Sequence, residues 1–380
     1  MPATKLPGVG TTIFTVMSRL AAEHGAVNLG QGFPDFGPPA RLCDLVAAQL
    51  AAGRNQYAPM PGLPELCEAI ADQAARRHGW GVDPAREVTI TAGATEALFA
   101  AIHAVVRAGD EVVLLDPSYD SYAPAAVLAG AKVVRVPLAL PDFRIDFGRL
   151  AAAIGPRTRL LVVNTPHNPS GAVLSAGDWD CIADLVERRD ALVLSDEVYE
   201  CLVFDGRPHA GVRSNARLRE RSFAMFSFGK TFNATGWKVG YCIAAPALTA
   251  ELRKVHQFLT FAVSTPMQHA IAGFLREDPA FAGGQADFYQ ARRDRFLALL
   301  SPSRFRLAPA AGTYFQLADY SAVSDLPDVE FCEMLVRHHG VAAIPLSPFC
   351  DEPPDARLVR FCFAKSDGTL ERAAGILRAI

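Results

Sequence analysis

Between residues 88 and 244 the chain alternates short apolar runs with amphipathic stretches. Two of the runs, Leu160-Leu161-Val162-Val163 and Leu192-Val193-Leu194, carry no polar residue at all. A strand with one wet face alternates apolar and polar side chains, whereas a continuously apolar run suits a strand covered on both faces. The pattern predicts seven strands, at 88–91, 112–115, 132–136, 160–163, 192–195, 223–227 and 239–243. Helices are expected between them, among them 95–107, ending at Gly109, and 175–189, opening on a Ser175 cap. Strand–helix alternation of this kind predicts an α/β fold with a mainly parallel seven-stranded sheet and helices on both faces.

After about residue 280 the rhythm changes. Helical stretches near 284–300, 329–339 and 369–380 surround a Gly312-containing segment, 305–318, and a strand near 358–364. This reads as a smaller α+β domain. The Gly- and Pro-rich first 30 to 40 residues fit neither pattern and are expected to pack with the C-terminal part. The expected boundaries are 40–283 for the large domain and 1–39 together with 284–380 for the small one.

Composition excludes several classes. Thirty-seven Lys and Arg against 40 Asp and Glu leave a net charge of −3, which gives no footprint for nucleic acid and no basic face for a membrane surface. No apolar run approaches the ~18 residues of a membrane span. Early prolines and glycines argue against a signal peptide. None of the eight cysteines forms a Cys-x-x-Cys pair. They read as buried thiols in a reducing compartment, so a cytoplasmic location is expected. The histidines lack metal spacing, and adjacent His338 and His339 would diverge on a helix.

Four segments carry candidate chemistry. Ser227-Phe228-Gly229-Lys230-Thr231 ends like a phosphate-binding P-loop, but that motif needs a glycine where Ala224 stands, in a strand. The other reading is a lysine at the end of a buried strand, desolvated into a nucleophile. Asp196, in Ser195-Asp196-Glu197-Val198-Tyr199, lies at the carboxyl end of an apolar strand, where open α/β sheets bind ligands. Tyr199 could reach the same place. A plain helix cap is the alternative for this segment. Asn164-Thr165-Pro166-His167-Asn168-Pro169-Ser170-Gly171 is a turn at the end of another buried strand, with Asn168 held extended by Pro169. Thr91-Ala92-Gly93-Ala94-Thr95 joins a strand to a helix and reads as an anion site or a simple helix start.

Taken together, and in this order, these segments resemble the class I/II aminotransferases, enzymes of fold type I that depend on pyridoxal 5'-phosphate. The resemblance runs from Asn28-Leu29-Gly30-Gln31-Gly32-Phe33-Pro34-Asp35-Phe36 to Arg360-Phe361-Cys362-Phe363. The first of these runs and Thr235-Gly236-Trp237-Lys238-Val239-Gly240 look most like the methionine and kynurenine/glutamine aminotransferase branch.

The resemblance implies roles. Lys230 would hold the cofactor and shuttle the substrate α-proton, and Asp196 would pair with the pyridine nitrogen. Tyr199 and Asn168 would hydrogen-bond the ring oxygen. Ala94, Thr95, Ser227 and Lys238 would hold the phosphate, and Tyr119 would stack on the ring. Lys238 competes with Lys230 for the covalent role; the motif favours Lys230. Tyr57 would reach the neighbouring subunit's cofactor, which implies a homodimer with shared sites. Arg360 would take the substrate carboxylate in its planar fork, completed by Gly32 and Asn168.

Animal members carry an aromatic–histidine pair where this chain has Val263-Ser264. Smaller side chains there point away from kynurenine and toward methionine, with glutamine, phenylalanine and histidine also admissible. The expected activity is ping-pong transfer of the amino group to a 2-oxo acid. A cysteine-conjugate β-lyase on the same scaffold is the alternative. A cofactor-sensing regulator is disfavoured, since 27 residues before Asn28 are too few for a winged helix.

Overall fold

A computed structural model of the chain describes residues 4–354 and 356–380. Among these residues there are twelve strands in chain order: β1 Val27–Asn28, β2 Val88–Thr91, β3 Glu111–Asp116, β4 Lys132–Pro137, β5 Thr158–Asn164, β6 Leu192–Asp196, β7 Ser222–Ser227, β8 Gly240–Ala244, β9 Phe315–Asp319, β10 Val341–Ala342, β11 Ile344–Pro345 and β12 Leu358–Cys362. Seven of them form one sheet in the order β2-β8-β7-β6-β5-β3-β4. Its pairings are parallel except around β8, which runs antiparallel to both β7 and β2.

The all-apolar runs lie where two-sided burial predicts. Leu161, Val163 and Val193 point into one apolar layer; Leu160, Val162, Leu192 and Leu194 point into the other. The edge strand β4 differs in being partly exposed and carrying Lys132 and Arg135. Charge at a sheet edge blunts pairing with other chains.

Several boundaries moved. The helix after β2 spans Gly93–Val105, so Ala94 and Thr95 lie in its first turn rather than at its start. β8 begins at Gly240 rather than Val239, because Lys238 adopts a left-handed backbone (φ 53°) and turns the chain before the strand. Lys230 sits in the one-turn helix Phe228–Thr231. Ser175 and Asp178 cap the helix Ala176–Glu187 reciprocally, as its opening residue predicts. Two helices with no counterpart in the sequence expectation, Pro246–Leu259 and Thr265–Glu277, each open with proline in the first turn.

A second, antiparallel sheet has the order β11-β12-β9, and β1 pairs in parallel with β10. A third apolar cluster joins Met17, Leu20 and Leu29 near the N-terminus to Phe296, Phe331, Val359 and Leu370. The early residues thus pack against the C-terminal third. Tyr199, Leu202 and Phe204 of the large sheet's crossover join the same cluster.

Candidate active site

The carboxyl ends of β5, β6 and β7 open on a cavity of about 650 Å³. Eleven of the twelve expected site residues line it: Gly32, Ala94, Thr95, Tyr119, Asn168, Asp196, Tyr199, Ser227, Lys230, Lys238 and Arg360. Tyr57 lies outside. It is 84% exposed, and its ring meets Phe261 edge-on at 5.4 Å.

At the cavity floor Asp196 ends β6 with a buried carboxylate. Its Oδ2 accepts from the Tyr122 hydroxyl at 2.6 Å and its Oδ1 from the Val198 N–H at 3.3 Å. Burial raises its pKa, opposed by these donors. A carboxylate so placed favours a protonated nitrogen opposite it.

Lys230 enters from the turn after β7. Its Nζ donates to Tyr314 Oη at 2.8 Å and to Gly32 O at 3.2 Å, and burial pulls its pKa down to about 8. No carboxylate neutralises it within hydrogen-bond reach among the described residues. Tyr119 is also desolvated, which pushes its hydroxyl up to about 12.

Arg360, on β12, is 1% exposed. Its Nη1 donates to Asn168 Oδ1 at 2.7 Å and its Nη2 to Gly30 O at 3.0 Å, while the guanidinium lies 3.9 Å from the Phe315 ring centroid. Its Nε is buried with no partner among the described residues. A rigid, stacked fork with an orphaned donor is suited to a carboxylate. Asn168 is itself held by Asn164, whose Oδ1 accepts from the Asn168 N–H at 2.7 Å. Gly32 contributes a carbonyl that is already engaged by Lys230 and Tyr314, and a Cβ there would come 3.0 Å from Phe315.

The start of the helix Gly93–Val105 also lines the cavity and could cradle an anion. The helix Gly93–Val105 begins there with Gly93 at φ +77°, and a Cβ on Gly93 would come 3.1 Å from Lys238 Nζ. First-turn N–H groups have no intrahelical partner and favour an anion. A buried amine, a carboxylate and an anion cradle around one cavity fit pyridoxal phosphate, with its aldehyde, its basic ring nitrogen and its phosphate.

Sequence reasoning missed Tyr122, Asn164 and Tyr314. Tyr122 opens the helix Tyr122–Leu128 three positions after Tyr119, and only the fold turns its hydroxyl to Asp196. Tyr314 lies in a segment read only as containing Gly312.

This fold and site define an aminotransferase. The chain belongs to the family Aminotransferase class I and II, which it matches over residues 25–377. Members of that family use pyridoxal phosphate. The chain is 52% identical to a methionine aminotransferase of Escherichia coli over 380 residues, covering 100% of this chain and 98% of that protein. The crystal structure of that enzyme superposes with a TM-score of 0.98 over 100% of both chains. A probable N-succinyldiaminopimelate aminotransferase of Mycobacterium tuberculosis is 42% identical, covering 98% of this chain and 97% of that protein. Kynurenine–oxoglutarate transaminase 1 of Mus musculus is 35% identical, covering 98% and 96%. These relatives favour amino transfer over the β-lyase reading. No described helix is long and apolar enough to cross a membrane, and no described cluster of His, Cys, Asp and Glu could hold a metal ion.

Proposed function

We propose that this aminotransferase binds pyridoxal 5'-phosphate and moves the amino group of methionine, or of another neutral or aromatic L-amino acid, to a 2-oxo acid by a ping-pong reaction. The observation that carries the reading is the convergence of Lys230, Asp196 and Arg360, from three distant segments, on one cavity. When bound, the cofactor supplies an electron sink for a substrate α-carbanion.

The protein's own groups do the rest. Lys230 holds the cofactor, then takes the substrate α-proton on Nζ and returns it. Asp196 would keep the ring nitrogen protonated, and Tyr199 and Asn168 would donate to the ring oxygen. Tyr119, on the cavity lining, would cover the ring face. Ala94, Thr95, Ser227 and Lys238 hold the phosphate. Arg360 fixes the substrate carboxylate beside Gly32 and Asn168, which decides which α-bond is set to break.

Phe14, Phe33 and Phe315 wall the substrate side with aromatic rings, which suits an apolar or thioether side chain. Arg19 is the other arginine on the lining, but it lies in an exposed i,i+4 pair with Glu23 and does not anchor the interior. The identity to the methionine enzyme supports the same donor.

We further propose a cytoplasmic homodimer with shared sites. Its support is an exposed aromatic face, with Tyr57 84%, Phe258 86% and Phe261 44% accessible, in which Tyr57 is free to serve the neighbouring subunit. The large domain would be 40–283 and the small one 1–39 with 284–380, supported by the separate apolar cluster of the terminal segments. An absorbance spectrum tests the reading: reconstituted protein should be yellow and should bleach on adding methionine. Protein that stays colourless after reconstitution would sink it.

A further inference from the structure

Resting on the reading of Lys230 as the proton-carrying lysine, we propose that Tyr314 is the residue that positions its free amine, accepting one N–H while the Gly32 carbonyl it also binds accepts the other, so that the lone pair faces the cavity. Three segments meet here: Gly32 between the helices Ile13–Glu23 and Ala40–Ala51, Lys230 after β7, and Tyr314 just before β9.

The directions of the hydrogen bonds follow from chemistry. Tyr314 Oη lies 2.7 Å from Gly32 O, and a carbonyl oxygen can only accept. The phenolic proton is therefore committed to Gly32, and the 2.8 Å contact between Tyr314 Oη and Lys230 Nζ runs from nitrogen to oxygen. A second N–H of Lys230 reaches the same Gly32 carbonyl at 3.2 Å. A neutral amine has two hydrogens and one lone pair. With both hydrogens used, the lone pair is left on the open side, where the substrate carbon would stand.

The arrangement is rigid. Tyr314 is fully buried, and its ring packs edge-on against Tyr199 at 5.2 Å and Phe315 at 4.9 Å. Its hydroxyl has no cationic partner other than Lys230 among its hydrogen bonds. Burial also raises the phenol's own pKa, so it stays protonated and cannot neutralise the lysine as a phenolate. Tyr314 thus fixes direction without adding charge, and burial, helped by the nearby Arg360 and Lys238 charges, sets the amine's low pKa.

Tyr314→Phe keeps the ring and removes the oxygen. In the apoprotein, the pH dependence of Lys230 acetylation by acetic anhydride, read by peptide mass spectrometry, reports the amine directly. The charged amine loses an acceptor in the variant, so the labelling midpoint should fall below that of the parent. In the reconstituted enzyme kcat should fall about tenfold, the worth of one aligned hydrogen bond, with the KM for methionine unchanged and a larger isotope effect from α-deuterated substrate. An unmoved labelling midpoint together with a kcat within twofold of the parent would overturn the proposal. Tyr314→Met, which fills the space with a flexible apolar chain, must give the same shift and substitutes for the phenylalanine variant if that one loses its thermal transition. Borohydride reduction separates this inference from the reading beneath it. Cofactor fixed to the Lys230 peptide in parent and variant alike upholds that reading; cofactor fixed elsewhere removes it, whatever Tyr314 does.

Discussion

Residues 196–200 carry three carboxylates, one toward the cavity and two away from it, and the two sides differ in how completely their polar groups are satisfied. On the cavity side Asp196 has a hydroxyl and one long backbone contact, and Lys230 nearby has only neutral oxygens. On the far side Glu197 is fully buried and accepts from Ser195 Oγ at 2.8 Å and the Val212 N–H at 2.8 Å, with His209 Nε2 at 2.7 Å. Glu200 takes Arg77 Nη1 at 2.7 Å and faces His78 Nε2 at 2.9 Å. Burial alone would raise the Glu200 pKa, but Arg77 and His78 outweigh it and hold the carboxyl well below its usual range. Saturated ion pairs mark structure; under-satisfied buried charges mark a place kept for a ligand.

Substitutions on the two sides should therefore fail differently. Lys230→Ala should lower kcat by roughly 10⁴-fold, the upper range for a positioned acid–base group, and abolish the borohydride-fixed cofactor while leaving thermal stability near that of the parent. Asp196→Asn should cost roughly 10²–10³-fold in kcat, as for loss of one preorganised electrostatic group, with the folded state intact by denaturant titration. Glu200→Ala should reverse the pattern. It strands the partly buried Arg77 and should cost roughly 3 kcal/mol of unfolding free energy, the lower end for breaking a buried pair, with kcat per folded, cofactor-loaded molecule nearly unchanged. A Glu200→Ala protein as stable as the parent would break the comparison.

Acid gives the smallest and most graded effect. Because the Glu200 pKa is depressed on folding, its stabilisation is fully present above the ordinary carboxylate range and is lost as pH falls through and below it. Melting temperatures measured from pH 7 downward should fall more steeply for the parent than for Glu200→Gln. Lys230 works in the opposite range. Its amine titrates near 8 in the folded chain, so cofactor capture by apoprotein, which needs the neutral amine, should accelerate as pH rises through about 8.

Much of this was legible in the chain. The apolar runs at 160–163 and 192–194 announced a sheet covered on both faces, because only two-sided burial tolerates strands without a polar residue. The motif residues were recognisable because cofactor chemistry restricts their types: an amine, a carboxylate, and donors at a helix start. Tyr122, Asn164 and Tyr314 were not recognisable. A tyrosine or asparagine in sequence looks the same whether it is core, turn or ligand, and each acquires its role from one partner 74, 4 or 84 positions away.

The sequence by itself determined which elements form and which side chains are chemically capable, since burial pattern and functional-group type are local properties. Only the tertiary structure decided which capable groups act together. Arg360 reaches Gly30 across 330 positions and Tyr314 reaches Gly32 across 282. Those distances close because the terminal segments bury a shared apolar cluster and dock it beside the sheet's carboxyl edge. The tertiary structure likewise separated Asp196 from Glu200. Four positions apart, they differ in their partners: Asp196 meets the Tyr122 hydroxyl, while Glu200 meets Arg77, which comes from a helix more than a hundred residues earlier.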